Sequence, residues 1–257
     1  MNEKIMIPKD HPRYASLIIR EKLVDAFEKG LVAREGLIAH GRGETFDYLF
    51  GEKTTEPALS AINAASALLL LADYPVISIN GNTAALSAKE ICTLNQVLKK
   101  SLIEINLFYR YKSREQIIAN ELRKYGADKI LGIDTKNLTQ IPELSSNRRT
   151  VDRDGIFMAD VVFVPLEDGD RTITLKKMNK KVISIDLNPL SRTSLSSDIS
   201  IIDNIVRVIP HLIENINYHK KNSTEQELKD IVNQFDNKKV LNDSLDIIKS
   251  SKTFTNF

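Results

Sequence analysis

The chain has no tryptophan and one cysteine in 257 residues, and its 36 basic and 34 acidic side chains almost cancel. A lone thiol, Cys92, cannot close an internal disulfide, so the fold must rest on its apolar core, as suits a reducing cytosol. Cys92 lies in the helical-looking stretch 84–98 and is expected to be a small buried hydrophobe. A net charge of +2 gives no sign of the concentrated basic face that nucleic-acid binding needs. The longest apolar run, residues 67–72, is far too short to span a membrane. No apolar region follows Met1-Asn2-Glu3-Lys4, so no secretory signal is read. These absences lead to the expectation of a soluble, cytoplasmic protein with neither nucleic acid nor membrane as a partner.

Chemical signatures are missing too. The histidines are His11, His40, His211 and His219, with no partner cysteines and no H-E-x-x-H, so no zinc site is supported. There is no G-x-S-x-G nucleophile elbow and no G-x-x-x-x-G-K-[ST] phosphate loop. Gly41-Arg42-Gly43 lacks the third glycine of a dinucleotide fingerprint and does not follow a strand, which gives little support to NAD binding.

What the chain does contain is an alternation of short apolar runs with helical periodicity. Strands are expected over Pro75–Ile79, 103–108, 129–133, 160–165, Lys181–Asp186 and Ile199–Ile202. Helices are expected over 13–29, 56–72, 84–99, 114–125, 171–178 and 204–217. The Gly-punctuated segment 33–51 is given no element, and 135–155, with Pro142 and Arg148-Arg149, reads as a long loop. Strands and helices at this spacing form right-handed β-α-β units and a mostly parallel sheet. The fold class is α/β, a doubly wound sheet of about six strands with flanking helices and extra N- and C-terminal helices. Residues 1–219 are taken as the catalytic domain. Residues 220–257 are taken as a polar extension of one or two amphipathic helices ending in a loose tail.

In such sheets ligands bind outside the carboxyl ends of the strands, and ligand-type residues cluster there. Asn80-Gly81-Asn82 ends one strand, and Asn106 with Tyr109-Arg110-Tyr111 ends the next. Glu167-Asp168-Gly169-Asp170-Arg171-Thr172 follows a third. Asp186-Leu187-Asn188, with Ser191-Arg192-Thr193 beyond it, follows a fourth, and Asp203-Asn204 a fifth. An acid at a strand end suits a ribose hydroxyl. Three carboxylates within four positions raise one another's pKa values and are tolerated beside Mg²⁺ or several arginines. Asp170 could also cap the helix after it. Gly41 and Gly43 around Arg42 would let backbone amides approach a phosphate, or form a tight turn. Arg13 and Arg20, two helical turns apart, could clamp a polyanion or simply meet solvent. His11 reads as a capping or packing residue.

These strings closely resemble the archaeal phosphopantothenate synthetases, also called 4-phosphopantoate–β-alanine ligases. The resemblance is carried by Ile7-Pro8, His11-Pro12-Arg13-Tyr14, Arg20-Glu21, residues 36–44, Phe46-Asp47-Tyr48-Leu49, Asn80-Gly81-Asn82, residues 106–110, residues 164–172 and residues 185–192. It covers about residues 5–218 and is not seen over 224–257. It implies a Rossmann-like fold, a homodimer, and an AMP-forming ligation of 4-phosphopantoate to β-alanine with ATP and Mg²⁺. It further implies nucleotide contacts at Arg20, Arg42, Asp186, Leu187, Asn188, Arg192, Thr193, Asn204 and Ile205, where Thr193 stands for a serine in some relatives. Asn80, Asn82, Asn106 and Arg110 are candidates for the acyl substrate and amine, and His40 and Asp170 for a general base. The alternatives are a nucleotide-dependent kinase or oxidoreductase on the same fold, or a non-catalytic nucleotide sensor.

Overall fold

The structure, a computed structural model, describes residues 7–141 and 146–250. Pro142, Met1 to Lys4 and the last residues of the extension expected over 220–257, from 251 on, fall outside the described residues. The strands are β1 (Pro75–Ile79), β2 (Leu102–Ile105), β3 (Ile130–Leu131), β4 (Leu138–Gln140), β5 (Thr150–Asp152), β6 (Val161–Pro165), β7 (Lys181–Asp186) and β8 (Ile199–Ile202). The helices are α1 (Tyr14–Glu28), α2 (Arg34–Leu49), α3 (Glu56–Leu71), α4 (Gly81–Leu98), α5 (Lys112–Arg123), α6 (Gly169–Lys177), α7 (Arg192–Ser196), α8 (Ile205–Asn222), α9 (Glu225–Gln234) and α10 (Asn237–Ser250).

Six strands form one parallel sheet in the order β3-β2-β1-β6-β7-β8. The chain winds outward from β1 to β3, then returns to β6 on the other side of β1. The direction of winding therefore reverses between β1 and β6, where a doubly wound fold opens its crevice. Residues alternate between two apolar layers. Ile77, Ile79, Phe163, Ile183 and Ile185 pack with α3, α4 and α8, while Val76, Val162, Val164 and Val182 pack with Leu175 and Val151 on the opposite face. Burial on both faces explains why these strands read as unbroken Val/Ile runs. Cys92 is buried as expected.

The polar residues after the strands act first as helix caps. Asn80 accepts from the Thr83 N–H, Asp168 from Arg171, Ser191 from Ser194 and Asn204 from Val206. Each satisfies an otherwise unpaired amide at a helix start. Asp168 rather than Asp170 is the cap of α6.

Three segments differ from expectation. Most of the segment 33–51 forms helix α2, Arg34–Leu49. It escapes a periodicity reading because its buried side chains are Glu44 and Asp47, while Ile38 is 61% exposed. Part of 135–155 is ordered as an antiparallel ribbon, β4 with β5, flanked by two 3-10 turns. The strand expected over 103–108 ends at Ile105, and Asn106 turns under the ribbon, its Nδ2 donating to the carbonyls of Arg148 and Thr150. Helices α9 and α10 fulfil the amphipathic expectation for the C-terminal region. α9 packs on α3, and α10 on α3 and β8, with Val240 joining the main core.

Candidate active site

The crevice between β1 and β6 widens into a cavity of about 820 Å³ beneath α2. Its floor is the carboxyl edge of β1, β2, β6 and β7. Of the residues expected to form a site, His40, Arg42, Asn80, Asn82, Asp186, Leu187, Asn188, Arg192 and Thr193 line it together.

The β7 edge is built around Asp186. Its carboxylate accepts from the Asn188 N–H and the Ser191 hydroxyl, and burial raises its pKa against the pull of those bonds. Asn188 holds the following turn by accepting from the Leu190 N–H. Thr193, 2% exposed, donates its hydroxyl to the Glu167 carbonyl, which ties α7 to the end of β6. Arg192 projects outward and pairs with Asp170.

Across the crevice, Asn80 donates to the carbonyls of Pro165 and Leu166 while its own carbonyl caps α4. This one side chain stitches β1 to β6 at the point where the winding reverses. Leu166 there has a φ of 56°, a left-handed conformation that a branched side chain adopts at a cost of about 1–3 kcal/mol. Asn82 donates to the Gly36 carbonyl, fixing the start of α2 over the start of α4.

Helix α2 roofs the cavity. Its backbone amides belong to helical hydrogen bonds, so Gly41 and Gly43 are no phosphate-cradling loop. Gly43 faces Leu187, where an added Cβ would make only an ordinary contact at 3.4 Å from Cδ1. Arg42 hangs from this roof with no acidic partner among the described residues. Burial lowers the pKa of His40, with Glu44 opposing and Arg20 assisting. The imidazole is therefore neutral near pH 7, and its buried Nε2 has no partner among the described residues.

The acidic cluster after β6 is neutralised from within the protein. Glu167 pairs with both Arg148 and Arg171. Burial opposes its charge, yet the two guanidinia hold its pKa below the ordinary value. Asp168 lies 3.1 Å from Arg148 Nε, and burial and Glu167 raise its pKa. Among the described residues no three His, Cys, Asp or Glu side chains gather as a metal cage.

Other expected residues stand elsewhere. Arg20 and Arg13 do share a face of α1, but both grip Glu44 of α2, at 2.8 and 2.9 Å. Asp170 is exposed beside Arg192, outside the cavity lining. Asn106 and Arg110 support the ribbon; Arg110 pairs with Glu115 and donates to the carbonyls of Thr150 and Gly132. Asn204 donates to Asp47 and Ile205 is buried in the core, so both lie behind the roof. His11 accepts from the Arg13 N–H as a local cap. Arg114 and Arg148 line the cavity but were not among the expected site residues; Arg148 was noted only in the basic pair of the 135–155 loop. Arg148 arrives on the ribbon, and Arg114 reads as one more charge on a surface helix.

Comparison with known proteins bears directly on this cavity. The family model described as phosphopantothenate/pantothenate synthetase matches residues 57–251. The chain belongs to this family. The match runs through α9 and α10, so the C-terminal helices are part of the family unit, which corrects the expectation that the resemblance stops before residue 224. A 4-phosphopantoate–β-alanine ligase of Thermococcus kodakarensis is 54% identical over 242 residues, covering 94% of this chain and 91% of the relative. A ligase of the same name from Methanosarcina mazei is 48% identical over 243 residues, 95% and 94% of the two chains. That of Methanospirillum hungatei is 52% identical over 207 residues, 80% and 83%.

Proposed function

We propose that this phosphopantothenate synthetase family member condenses 4-phosphopantoate with β-alanine, using ATP and releasing AMP and diphosphate. What carries the reading is the near-full-length identity of about half to ligases of that name, joined to a cavity that sets a nucleotide-type edge opposite a cationic one.

A carboxylate is a poor acyl donor until one oxygen becomes part of a good leaving group. Attack of the 4-phosphopantoate carboxylate on the α-phosphorus of ATP expels diphosphate and gives an acyl adenylate. The β-alanine amine then attacks the acyl carbon, AMP departs with its electron pair, and one proton is lost from nitrogen. Asp186 and Asn188 bind the ribose and base on the β7 edge. Arg42 neutralises the triphosphate, since preorganised charge in a water-poor cleft costs no reorganisation during the reaction. His40, neutral and with a free Nε2, receives the amine proton; Asp170, exposed and paired with Arg192, is a weaker candidate. ATP enters as its Mg²⁺ complex, with the ion held mainly by phosphate oxygens and water as is usual for Mg²⁺. Glu167 and Asp168 are already balanced by arginines, so they do not fit a protein-built magnesium site.

A cytoplasmic homodimer goes with this reading, supported by the family resemblance. No helix among the described residues is long and apolar enough to cross a membrane. Phosphorus NMR of the protein with Mg·ATP, 4-phosphopantoate and β-alanine tests the activity. AMP and diphosphate are expected. ADP with free phosphate would refute the adenylate route, and ATP bound but unconsumed would indicate a sensor.

A further inference from the structure

The matched family is described by both a phosphorylated and an unphosphorylated product, and the substrate of the ligase reading carries a phosphate that the cavity has to accommodate. Pantoate carries its carboxyl and its phosphorylated hydroxyl at opposite ends. With the carboxyl directed at the nucleotide over β7, the phosphate falls toward the β1–β2 edge of the cavity. Two guanidinia line that edge, and their surroundings differ.

Arg148 is balanced by Glu167 and Asp168. Arg114 is not: among the described residues no carboxylate is within ion-pair distance of it. Its Nε donates to the Leu31 carbonyl at 2.9 Å and its Nη1 to the Tyr109 carbonyl at 3.0 Å. Two neutral acceptors thus fix the plane of the fork and, among the described residues, leave its charge without a paired carboxylate and its Nη2 without an acceptor. A Cβ added to Gly81 would stand 2.6 Å from that Nη2 and 2.3 Å from the Leu31 carbonyl oxygen. The free end of the fork therefore lies against the first residue of α4.

Gly81 and Asn82 occupy the first two positions of α4, where backbone N–H groups have no helical acceptor. α4 is 18 residues long, so its positive end adds to the field of the guanidinium. The start of α2 faces the same space, and its N-cap, Ala33, makes no side-chain cap bond. Burial and then the like charge of Arg148 lower the Arg114 pKa, while Glu35, exposed on this rim, opposes them through space without pairing with it.

We propose that Arg114, aimed by Leu31 and Tyr109 across the start of α4, anchors the phosphate ester of 4-phosphopantoate and selects phosphorylated over free pantoate. The assignment rests on the ligase reading above. A phosphate monoester brings a charge of about −1.5 to −2 at neutral pH and three acceptor oxygens, which suit a planar fork beside free amides. The absence of a side chain at Gly81 keeps that approach open.

The test is steady-state kinetics of wild type and Arg114→Met, with unphosphorylated pantoate titrated as a competitor. The KM for 4-phosphopantoate should rise about 100-fold, the range of a lost charged hydrogen bond. The inhibition constant of pantoate should change less than about twofold, with kcat and the KM values for ATP and β-alanine near wild type. An unchanged KM for 4-phosphopantoate overturns the assignment. So does an equal weakening of pantoate, which would mark a structural role, or a shift falling on β-alanine, which would give Arg114 the other carboxylate. If Arg114→Met does not melt as a folded protein, Arg114→Lys keeps the charge without the fork and is judged by the same selectivity. A wild-type enzyme that makes no AMP from 4-phosphopantoate overturns the ligase reading and this assignment together, and shows it before any variant is compared.

Discussion

Arg42 and Arg20 illustrate how alike residues separate once their partners are known. Both were expected to face the nucleotide. Arg20 holds Glu44, and together with Arg13 fastens α2 onto α1. Arg42 is exposed on the cavity side of the same helix with no partner to lose among the described residues. Arg42→Ala should therefore melt like wild type while its KM for ATP rises 10- to 100-fold, the weight of about 1.5–3 kcal/mol for a charged hydrogen bond. Equal ATP saturation curves for the two proteins would remove Arg42 from the site. Arg20→Ala, by contrast, acts through the seating of α2.

Among the elements, α10 reaches the site without touching it. Asn237, the first residue of α10, accepts from the Ser200 N–H at 2.8 Å and donates to the carbonyls of Ser194 and Ser197. It thereby ties the C-terminal helices to α7, which carries Arg192 and Thr193. Asn237→Ala leaves those groups without partners, costing about 1–3 kcal/mol by the penalty for an unsatisfied half-buried group. The urea midpoint should fall accordingly, and ATP should bind more weakly because α7 loosens. A variant with wild-type midpoint and ATP affinity would show that α10 is only a cover.

The six strands of the parallel sheet and most helices were legible because each carries its own period: unbroken Val/Ile runs for β1, β6 and β7, and capped apolar stripes for α3 and α8; the ribbon of β4 and β5 carries none and read as a loop. α2 was not legible, since it buries Glu44 and Asp47 and turns Ile38 to solvent. The stabilisation of those acids comes from Arg13, Arg20, Arg207 and Asn204 on other elements. No local pattern can encode a partner 157 residues away along the chain.

For the molecule as a whole, one buried acid sets a pH dependence: Glu104 of β2. It is fully buried, accepts from the backbone N–H groups of Asp152 and Ile156, and anchors the residues after β5. Burial raises its pKa to about 7, although those N–H groups and Arg171 favour the charge. The folded chain therefore keeps a proton that the unfolded chain releases near 4.5. Between these values the folded state binds more protons, so stability falls as pH rises through the window and levels off above it. The full effect is on the order of 3 kcal/mol. Urea unfolding at pH 5 and pH 8 should show this loss in wild type, and Glu104→Gln should be flatter by that amount. Parallel pH profiles for the two would contradict the assignment.

The sequence alone determined the parallel six-stranded sheet, its flanking helices and the strand ends bordering the cavity, because side-chain period and capping are local properties. It also placed Arg42, Asp186 and Asn188 among the residues that share the cavity. Only the tertiary structure decided which charges are answered within the fold and which remain open. Arg148 and Arg171 meet Glu167, Arg20 meets Glu44, and Asn204 meets Asp47, while Arg42 and Arg114 pair with no carboxylate among the described residues. The reason is that neutralisation depends on distance in space between elements far apart in the chain, and a charge left unmatched beside a cavity is what a polyanionic substrate binds.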